Sequence, residues 1–150
     1  MAPERVLHEV TDAAGAVIAP EWLARAEPVH RQLRDKLPGN YAERLRRVFE
    51  SGGRMVVATE GEAVRGLALW RLVENTYEGR RLYVDDLVTD TGNRSRGIGH
   101  ELLAYLEQRA RALDCDVLSL DSGTQRQDAH RFYFREGFVI PAFCFRKNLK

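Results

Sequence analysis

A short basic loop rich in glycine carries the clearest chemical signal in the sequence. It reads Arg94-Ser95-Arg96-Gly97-Ile98-Gly99 and lies between a predicted strand over residues 82–89 and an amphipathic segment. Unpaired N–H groups at a helix N-terminus carry partial positive charge, and glycine lets phosphate oxygens approach the backbone closely. The loop therefore predicts a pyrophosphate site to which Arg94 and Arg96 add full charges. A tight strand-to-helix turn with solvated arginines is the alternative.

Two nucleotide-binding motifs are excluded by the spacing of this loop. No Lys-Ser or Lys-Thr pair follows Gly99, as it would in the phosphate loop of nucleotide hydrolases. The glycines also do not follow the G-x-G-x-x-G pattern of dinucleotide-binding folds. The loop is therefore neither a nucleotide-hydrolase motif nor a Rossmann motif.

The segments around this loop alternate between strand and helix patterns. Apolar spacing predicts helices over residues 20–37, 41–50, 99–113 and 127–135. Alternating or continuous apolar runs predict strands over residues 5–10, 55–58, 64–70, 82–89 and 116–120, and a closing hairpin over 138–140 and 142–146. We expect an α/β fold with a mixed sheet of about six or seven strands and about four flanking helices.

The composition favours one globular domain over residues 1–150. Hydrophobic residues make up 44% of the chain, and 23 basic residues nearly balance 22 acidic ones. A net charge of +1 gives no general attraction to nucleic acid or to an anionic membrane. No stretch approaches the roughly 20 apolar residues of a membrane span, so we expect a cytoplasmic protein. The four histidines are scattered without ligand spacing, and no metal site is predicted.

The loop and a later segment together resemble a known family. Arg94-x-x-Gly97-x-Gly99 opening a helix is similar to the coenzyme A signature of the GCN5-related N-acetyltransferases, the GNAT superfamily. Residues 128–138, with an aromatic pair before Gly137-Phe138, resemble that family's closing helix and turn. The two matches follow each other in the family's order. The resemblance implies the GNAT fold and acetyl transfer from acetyl-coenzyme A to an amine.

The resemblance also implies which residues bind acetyl-coenzyme A. In the family, the pantetheine arm bonds like an added strand to backbone amides where two parallel strands separate. Here the corresponding residues are Leu87, Val88 and Thr89. The diphosphate would meet the amides of Arg94, Ser95, Arg96, Gly97, Ile98 and Gly99, with His100 at the edge. Many members have Asn where this chain has Arg126, whose guanidinium is able to reach phosphate instead.

Two further residues are candidates for proton transfer. A lysine-like ammonium has a pKa near 10.4, so its deprotonation at pH 7 costs about 4.6 kcal/mol. Asp86, with Asp85 and Asp121 behind it, is the first candidate for a general base, and binding of the substrate cation is the alternative role. The resemblance assigns to Tyr133 the protonation of the departing thiolate, and we expect its neighbour Phe132 in the core.

The expected function is direct acetyl transfer to a primary amine, most simply of a small molecule. Residues 127–138 also resemble aminoalkylphosphonate acetyltransferases, which indicates a small aminoalkyl acid. A protein lysine or N-terminal acetyltransferase and a non-catalytic acyl-coenzyme A-binding module are the alternatives. The predicted closing hairpin, with Phe143 and Phe145 alternating, either pairs across a homodimer axis or is buried in the monomer.

Overall fold

The structure, a computed structural model, describes residues 3–150. The chain forms two compact units. The first ends at Ser119, and the second runs from Leu120 to Lys150. None of the helices described in residues 3–150 is long and apolar enough to cross a membrane.

The elements confirm an α/β fold. The helices are α1 (Pro20–Leu33), α2 (Tyr41–Glu50), α3 (Ile98–Ala112) and, in the second unit, α4 (Gln127–Arg135). The strands are β1 (Arg5–Glu9), β2 (Arg54–Glu60), β3 (Ala63–Asn75), β4 (Gly79–Thr89) and β5 (Val117–Leu120). They form one sheet in the order β1-β2-β3-β4-β5, in which the first three neighbouring pairs are antiparallel.

The prediction of six or seven strands is wrong, because the described residues form five. Residues 138–150 contain no strand, and Val139, Phe143 and Phe145 are exposed. The predicted closing hairpin left only Pro141 between its two strands, whereas the tightest common hairpins need two loop residues. Pro141 also lacks the N–H that a strand ladder requires.

A hydrophobic core fixes α1 and α2 on one face of the sheet. Its members from the helices include Leu23, Val29, Tyr41, Leu45 and Phe49, and those from the sheet include Met55, Val57, Leu67, Leu69 and Val88. Helix α1 begins with Pro20, whose fixed φ suits the first helical position. It ends at Leu33, four residues before the predicted end, because Arg34 leaves helical geometry with φ −117° and ψ 65°.

A β-bulge at Asp85 changes the face of the sheet to which the later side chains of β4 point. Val84 pairs with Trp70 and Asp86 pairs with Leu69, so that Asp85 is an extra residue in β4. Trp70 lies on the α3 face, where its ring centroid is 5.9 Å from the Arg109 guanidinium carbon. Leu69 lies in the core under α1 and α2. The bulge therefore turns Asp86 toward α1, as bulges commonly redirect a side chain.

Candidate active site

The predicted pyrophosphate loop connects β4 to α3. Gly97 is the N-cap of α3 and has φ 81°, a left-handed conformation that glycine adopts without steric cost. None of the described side chains caps this helix, so the unpaired N–H groups of its first turn have no capping acceptor among them. A Cβ added at Gly97 would meet no heavy atom within 4 Å, which means that the space before the loop is open. The uncapped N–H groups and the open space beside Gly97 both fit a bound diphosphate.

Hydrogen bonds to α1 fix the start of this loop. Gln32 donates to the Asp90 carboxylate at 2.8 Å and accepts from the Thr91 N–H at 2.9 Å. Asn93 donates to the other Asp90 oxygen at 2.8 Å. The loop therefore leaves β4 in a defined direction.

The two arginines of the loop have different surroundings. Arg96 forms two hydrogen bonds with the buried Glu60, at 2.8 and 3.1 Å, so a carboxylate already matches its charge. Arg94 is exposed, and nothing in residues 3–150 forms an ion pair or a side-chain hydrogen bond with it. Of the two, Arg94 is the cation available to a phosphate, whereas Arg96 ties the loop to β2.

The first turn of α3 contains the remaining residues predicted at the diphosphate. The Ile98 side chain is fully buried in the core, so only its backbone N–H can face a ligand. Gly99 is half-buried and His100 is exposed. Residues 94–100 thus form one contiguous stretch between the end of β4 and the first turn of α3.

No strand formed by residues 3–150 lies beside the end of β4 on the β5 side. The Asp116 N–H donates to the Arg80 carbonyl at 2.7 Å, so β5 begins beside the start of β4. Strand β5 has 4 residues and β4 has 11. Leu87, Val88 and Thr89 therefore lie beyond the reach of β5, and a bound chain is able to use their free edge.

A cleft of about 390 Å³ opens between the end of α1, α2 and β4. Its apolar lining includes Leu33, Leu37, Leu45, Val48 and Leu69. Its polar lining consists of His30, Arg34, Asp35, Lys36, Arg44 and Asp86. The candidate base of the sequence analysis therefore lies in the wall of a cleft large enough for a small ligand.

Asp86 is the centre of a hydrogen-bond network. His30 Nε2 lies 2.6 Å from Asp86 Oδ2, and Arg34 Nε donates to Asp86 Oδ1 at 2.8 Å. His30 Nδ1 lies 2.8 Å from the Tyr41 hydroxyl. His30 is 1% exposed and Asp86 is 7% exposed, so α1 holds this carboxylate through buried contacts.

The two neighbouring carboxyls of β4 have opposite pKa shifts. Burial raises the pKa of Asp86, but the hydrogen bonds and charges of His30 and Arg34 outweigh it, and the pKa lies below its usual value. For Asp85 burial is the larger effect and raises the pKa, although Arg71 donates to it at 2.7 Å. A low pKa makes Asp86 a weak proton acceptor that stays ionised near pH 7.

These shifts predict how stability depends on pH. Because the pKa of Asp86 is lower in the folded protein, the stability that it contributes is present above the unfolded pKa, about 3.9, and is lost as the pH falls through the folded pKa. The difference in Tm between the parent and Asp86→Asn should therefore shrink in acid. Asp85→Asn should not show this narrowing, because its pKa shift has the opposite sign. A Tm difference for Asp86→Asn that stays constant from pH 7 into acid would contradict the assignment.

The second unit contains Arg126 and Tyr133. Arg126 is the N-cap residue of α4, and Tyr133 is 9% exposed. Burial raises the pKa of the Tyr133 phenol, and the nearby positive charge of Arg126 offsets only part of that rise. The phenol is therefore protonated at neutral pH. Phe132, expected in the core, is half-buried, and Tyr133 is the more buried of the two.

Sequence reasoning missed the partners of Asp86. His30 lies in the apolar stripe of α1, and a titratable side chain among buried positions was the available signal. For Arg34 and Tyr41 no such signal was available in the sequence, because their contacts depend on how the helices pack on the sheet. No group of three or more His, Cys, Asp or Glu side chains in residues 3–150 is placed to hold a metal ion.

Comparison with known proteins decides the family. Residues 19–138 match the acetyltransferase (GNAT) family. The chain belongs to this family. An uncharacterized N-acetyltransferase of Bacillus subtilis (strain 168), YhdJ, is 39% identical over 132 residues, which cover 85% of this chain and 91% of that protein. The GNAT chain is thus an acetyl-coenzyme A-dependent N-acetyltransferase, as the sequence predicted.

Similarity also extends to one further curated enzyme over part of the chain and to two solved structures of low sequence identity. The aminoalkylphosphonate N-acetyltransferase of Salmonella typhimurium is 39% identical over 66 residues, covering 44% of this chain and 43% of that protein. The aminoglycoside N-acetyltransferase AAC(6')-Iy, solved in complex with CoA, superposes with a TM-score of 0.81 at 12% identity, covering 100% of this chain and 98% of that one. An aminoglycoside acetyltransferase from a soil metagenome gives 0.79 at 16% identity, covering 97% of both chains. At these identities, the two structures support the GNAT fold alone.

Proposed function

We propose that the protein transfers the acetyl group of acetyl-coenzyme A to the primary amine of a small molecule. The cleft beside Asp86 carries this proposal. Its volume of about 390 Å³ lies within the range of small-ligand pockets, roughly 300–1,000 Å³. Apolar side chains and a few charged groups share its lining, as is typical of such pockets.

Acetyl-coenzyme A would bind along the free edge of β4 and at the start of α3. The backbone of Leu87, Val88 and Thr89 would bond to the pantetheine arm, and the uncapped amides of residues 94–99 would bond to the diphosphate. Exposed Arg94 would add a full charge. Arg96, held by Glu60, would keep the loop in place. His100 would lie at the edge of this site.

The chemical step is a direct transfer. The amine nitrogen attacks the thioester carbonyl, the C–S bond breaks, the amine loses one proton and the departing thiolate gains one. The family resemblance gives Tyr133 the role of proton donor to the thiolate, and its raised pKa keeps the phenol protonated until the thiolate departs. Arg126 would hold the phenol or reach a phosphate of the bound substrate.

Asp86 binds the acceptor in this proposal. Its low pKa disfavours a carboxylate that takes up the amine proton, and favours one that stays charged and forms an ion pair with the ammonium. Three hydrogen bonds from His30 and Arg34 already fix its orientation. The proton would then leave through water.

Two other functions are distinguishable from this one. A protein lysine or N-terminal acetyltransferase would place one side chain or one terminus in the cleft beside Asp86 and the rest of the peptide outside it. A non-catalytic module would bind acetyl-coenzyme A without turnover. The partial likeness to the aminoalkylphosphonate enzyme favours a small aminoalkyl acid as the acceptor.

Acetyl-coenzyme A should stabilise the protein against heat. A ligand that binds only the folded state adds about 2.7 kcal/mol at a hundredfold excess over its Kd. Differential scanning fluorimetry measures the rise in Tm, and free nicotinamide or adenine nucleotides serve as controls. A thiol-release assay with small amines and with lysine peptides then separates the functions. Turnover with peptides but not with small amines would replace the proposal by the protein-directed alternative.

A further inference from the structure

We propose that the cleft beside Asp86 contains an anion subsite, formed by Arg44 and Lys36, and that the acceptor is therefore an amine that also carries a carboxylate or phosphonate. This inference rests on the proposed function, because it assigns the same cleft to the acceptor. It adds the chemical class of the substrate and the residues that select it.

The charges of the cleft carry the inference. Three cationic side chains and two acidic ones line it. Arg34 and Asp86 pair with each other, which leaves Arg44, Lys36 and Asp35. Within residues 3–150, none of these three side chains has an ion pair or a hydrogen bond. The cleft thus keeps two unmatched cations against one unmatched carboxylate.

Arg44 is the stronger member of the subsite. It lies in the first turn and a half of α2 and is half-buried, whereas Lys36 is exposed. A partly desolvated guanidinium without a partner favours a bound anion, and its fork matches carboxylate and phosphonate oxygens in pairs. Lys36 adds a second, more mobile charge near the rim.

The opposite charges of the cleft suit the two ends of a zwitterion. His30 and Arg34 occupy three of about four lone-pair sites of the Asp86 carboxylate, which leaves one to accept from the ammonium group. Arg44 with Lys36 attracts the anionic group. Asp35 would repel a simple dianion, but it adds to the attraction for the amine. An alkylammonium without an anionic group would leave the guanidinium of Arg44 unmatched, so the cleft should discriminate against it.

Binding tests the subsite without depending on turnover. β-Alanine and aminoethylphosphonate are compared with β-alaninamide, which keeps the ammonium group but has no anionic group, by calorimetric titration into protein saturated with coenzyme A. We expect β-alanine, aminoethylphosphonate or both to bind about tenfold or more tightly than the amide. High ionic strength should remove that difference in affinity. The better of the two anions distinguishes carboxylate from phosphonate recognition.

Matched variants locate the effect. Arg44→Gln should weaken the anionic amines about tenfold and leave the amide unchanged, and Arg44→Lys should recover part of the loss. Arg46→Gln, an exposed position of the same helix outside the cleft lining, is the control and should change neither. Thermal unfolding of each variant verifies that it folds.

Several results would overturn the subsite. They are equal affinity for the amide and the anions, equal weakening of all three ligands by Arg44→Gln, and no binding of any of the three at millimolar concentration. Anion-selective binding without acetylation of any amine would instead uphold the subsite and contradict the proposed function.

Discussion

The Tyr133→Phe variant should turn over about a hundredfold more slowly than the parent, with little change in the KM for acetyl-coenzyme A. Loss of a general acid has an effect of this size. The substitution removes one hydroxyl and keeps the ring, which packs 5.4 Å from Phe132 and 5.8 Å from Phe138 between centroids. Steady-state kinetics at a temperature where both proteins are folded measures the effect.

Two control variants separate chemistry from structure in this experiment. Arg126→Gln removes the positive charge near the phenol. We propose that this charge reaches a phosphate of acetyl-coenzyme A, so its loss should raise the KM for acetyl-coenzyme A more than it lowers kcat. Phe132→Leu should lower the Tm and preserve turnover below it, since it trims a half-buried ring. Full activity of Tyr133→Phe across the pH range would contradict the general-acid role. If Arg126→Gln loses as much kcat as Tyr133→Phe, the effect of Tyr133→Phe would come from a displaced Arg126 and not from a lost proton donor.

The Asp86→Asn variant should lose about thirtyfold or more in kcat/KM for the amine. Truncating one partner of a desolvated charge pair costs about 2 kcal/mol or more, and asparagine keeps the shape of the side chain while removing its charge. The KM for acetyl-coenzyme A should stay near that of the parent, because the proposed loop and strand contacts of that substrate do not include Asp86. The two KM values from one kinetic matrix test this directly.

Asp85→Asn is the matched control on the same strand. Asp85 pairs with Arg71 at 2.7 Å and does not line the cleft, so its loss should leave the amine kinetics within a few-fold of the parent. If the two variants lose activity equally, the effect comes from a distorted β4 and not from the charge of Asp86. A base role would instead appear as a loss of kcat that higher pH reverses.

Local patterns predicted the isolated elements well. The bounds predicted for α2 and α4 are those observed, because each helix has a compact apolar stripe and a clear stop signal. The early end of α1 was missed, since Leu37 continues the helical spacing although the backbone turns at Arg34. The hairpin ends of β3 and β4 are polar, and only pairing with each other makes them strands.

The candidate site was predictable only where its residues are contiguous in the chain. The loop at residues 94–99 is contiguous, so one stretch of sequence displays it. The surroundings of Asp86 are not contiguous: His30 is 56 residues away in the chain, and the Arg34 contact spans 52. Such contacts exist only after α1 has packed on the sheet, so the carboxylate could be predicted but its low pKa could not.

The extra residue at Asp85 acts as a phase shift in the side-chain alternation of β4. Positions 82, 84, 86 and 88 are all buried, so they would pass for one face in any pattern scan, yet 84 and 86 belong to opposite layers. An eleven-residue strand that paired regularly from the β3–β4 turn onward would place residue 86 opposite Ala68. Ala68 lies on the same face of β3 as Gly66, which faces Ile98 and Leu102 of α3. With regular pairing, residue 86 would therefore point toward α3 and away from α1. A strand grafted here from another protein must therefore carry the same one-residue excess, or the carboxylate would point into the wrong layer of the molecule.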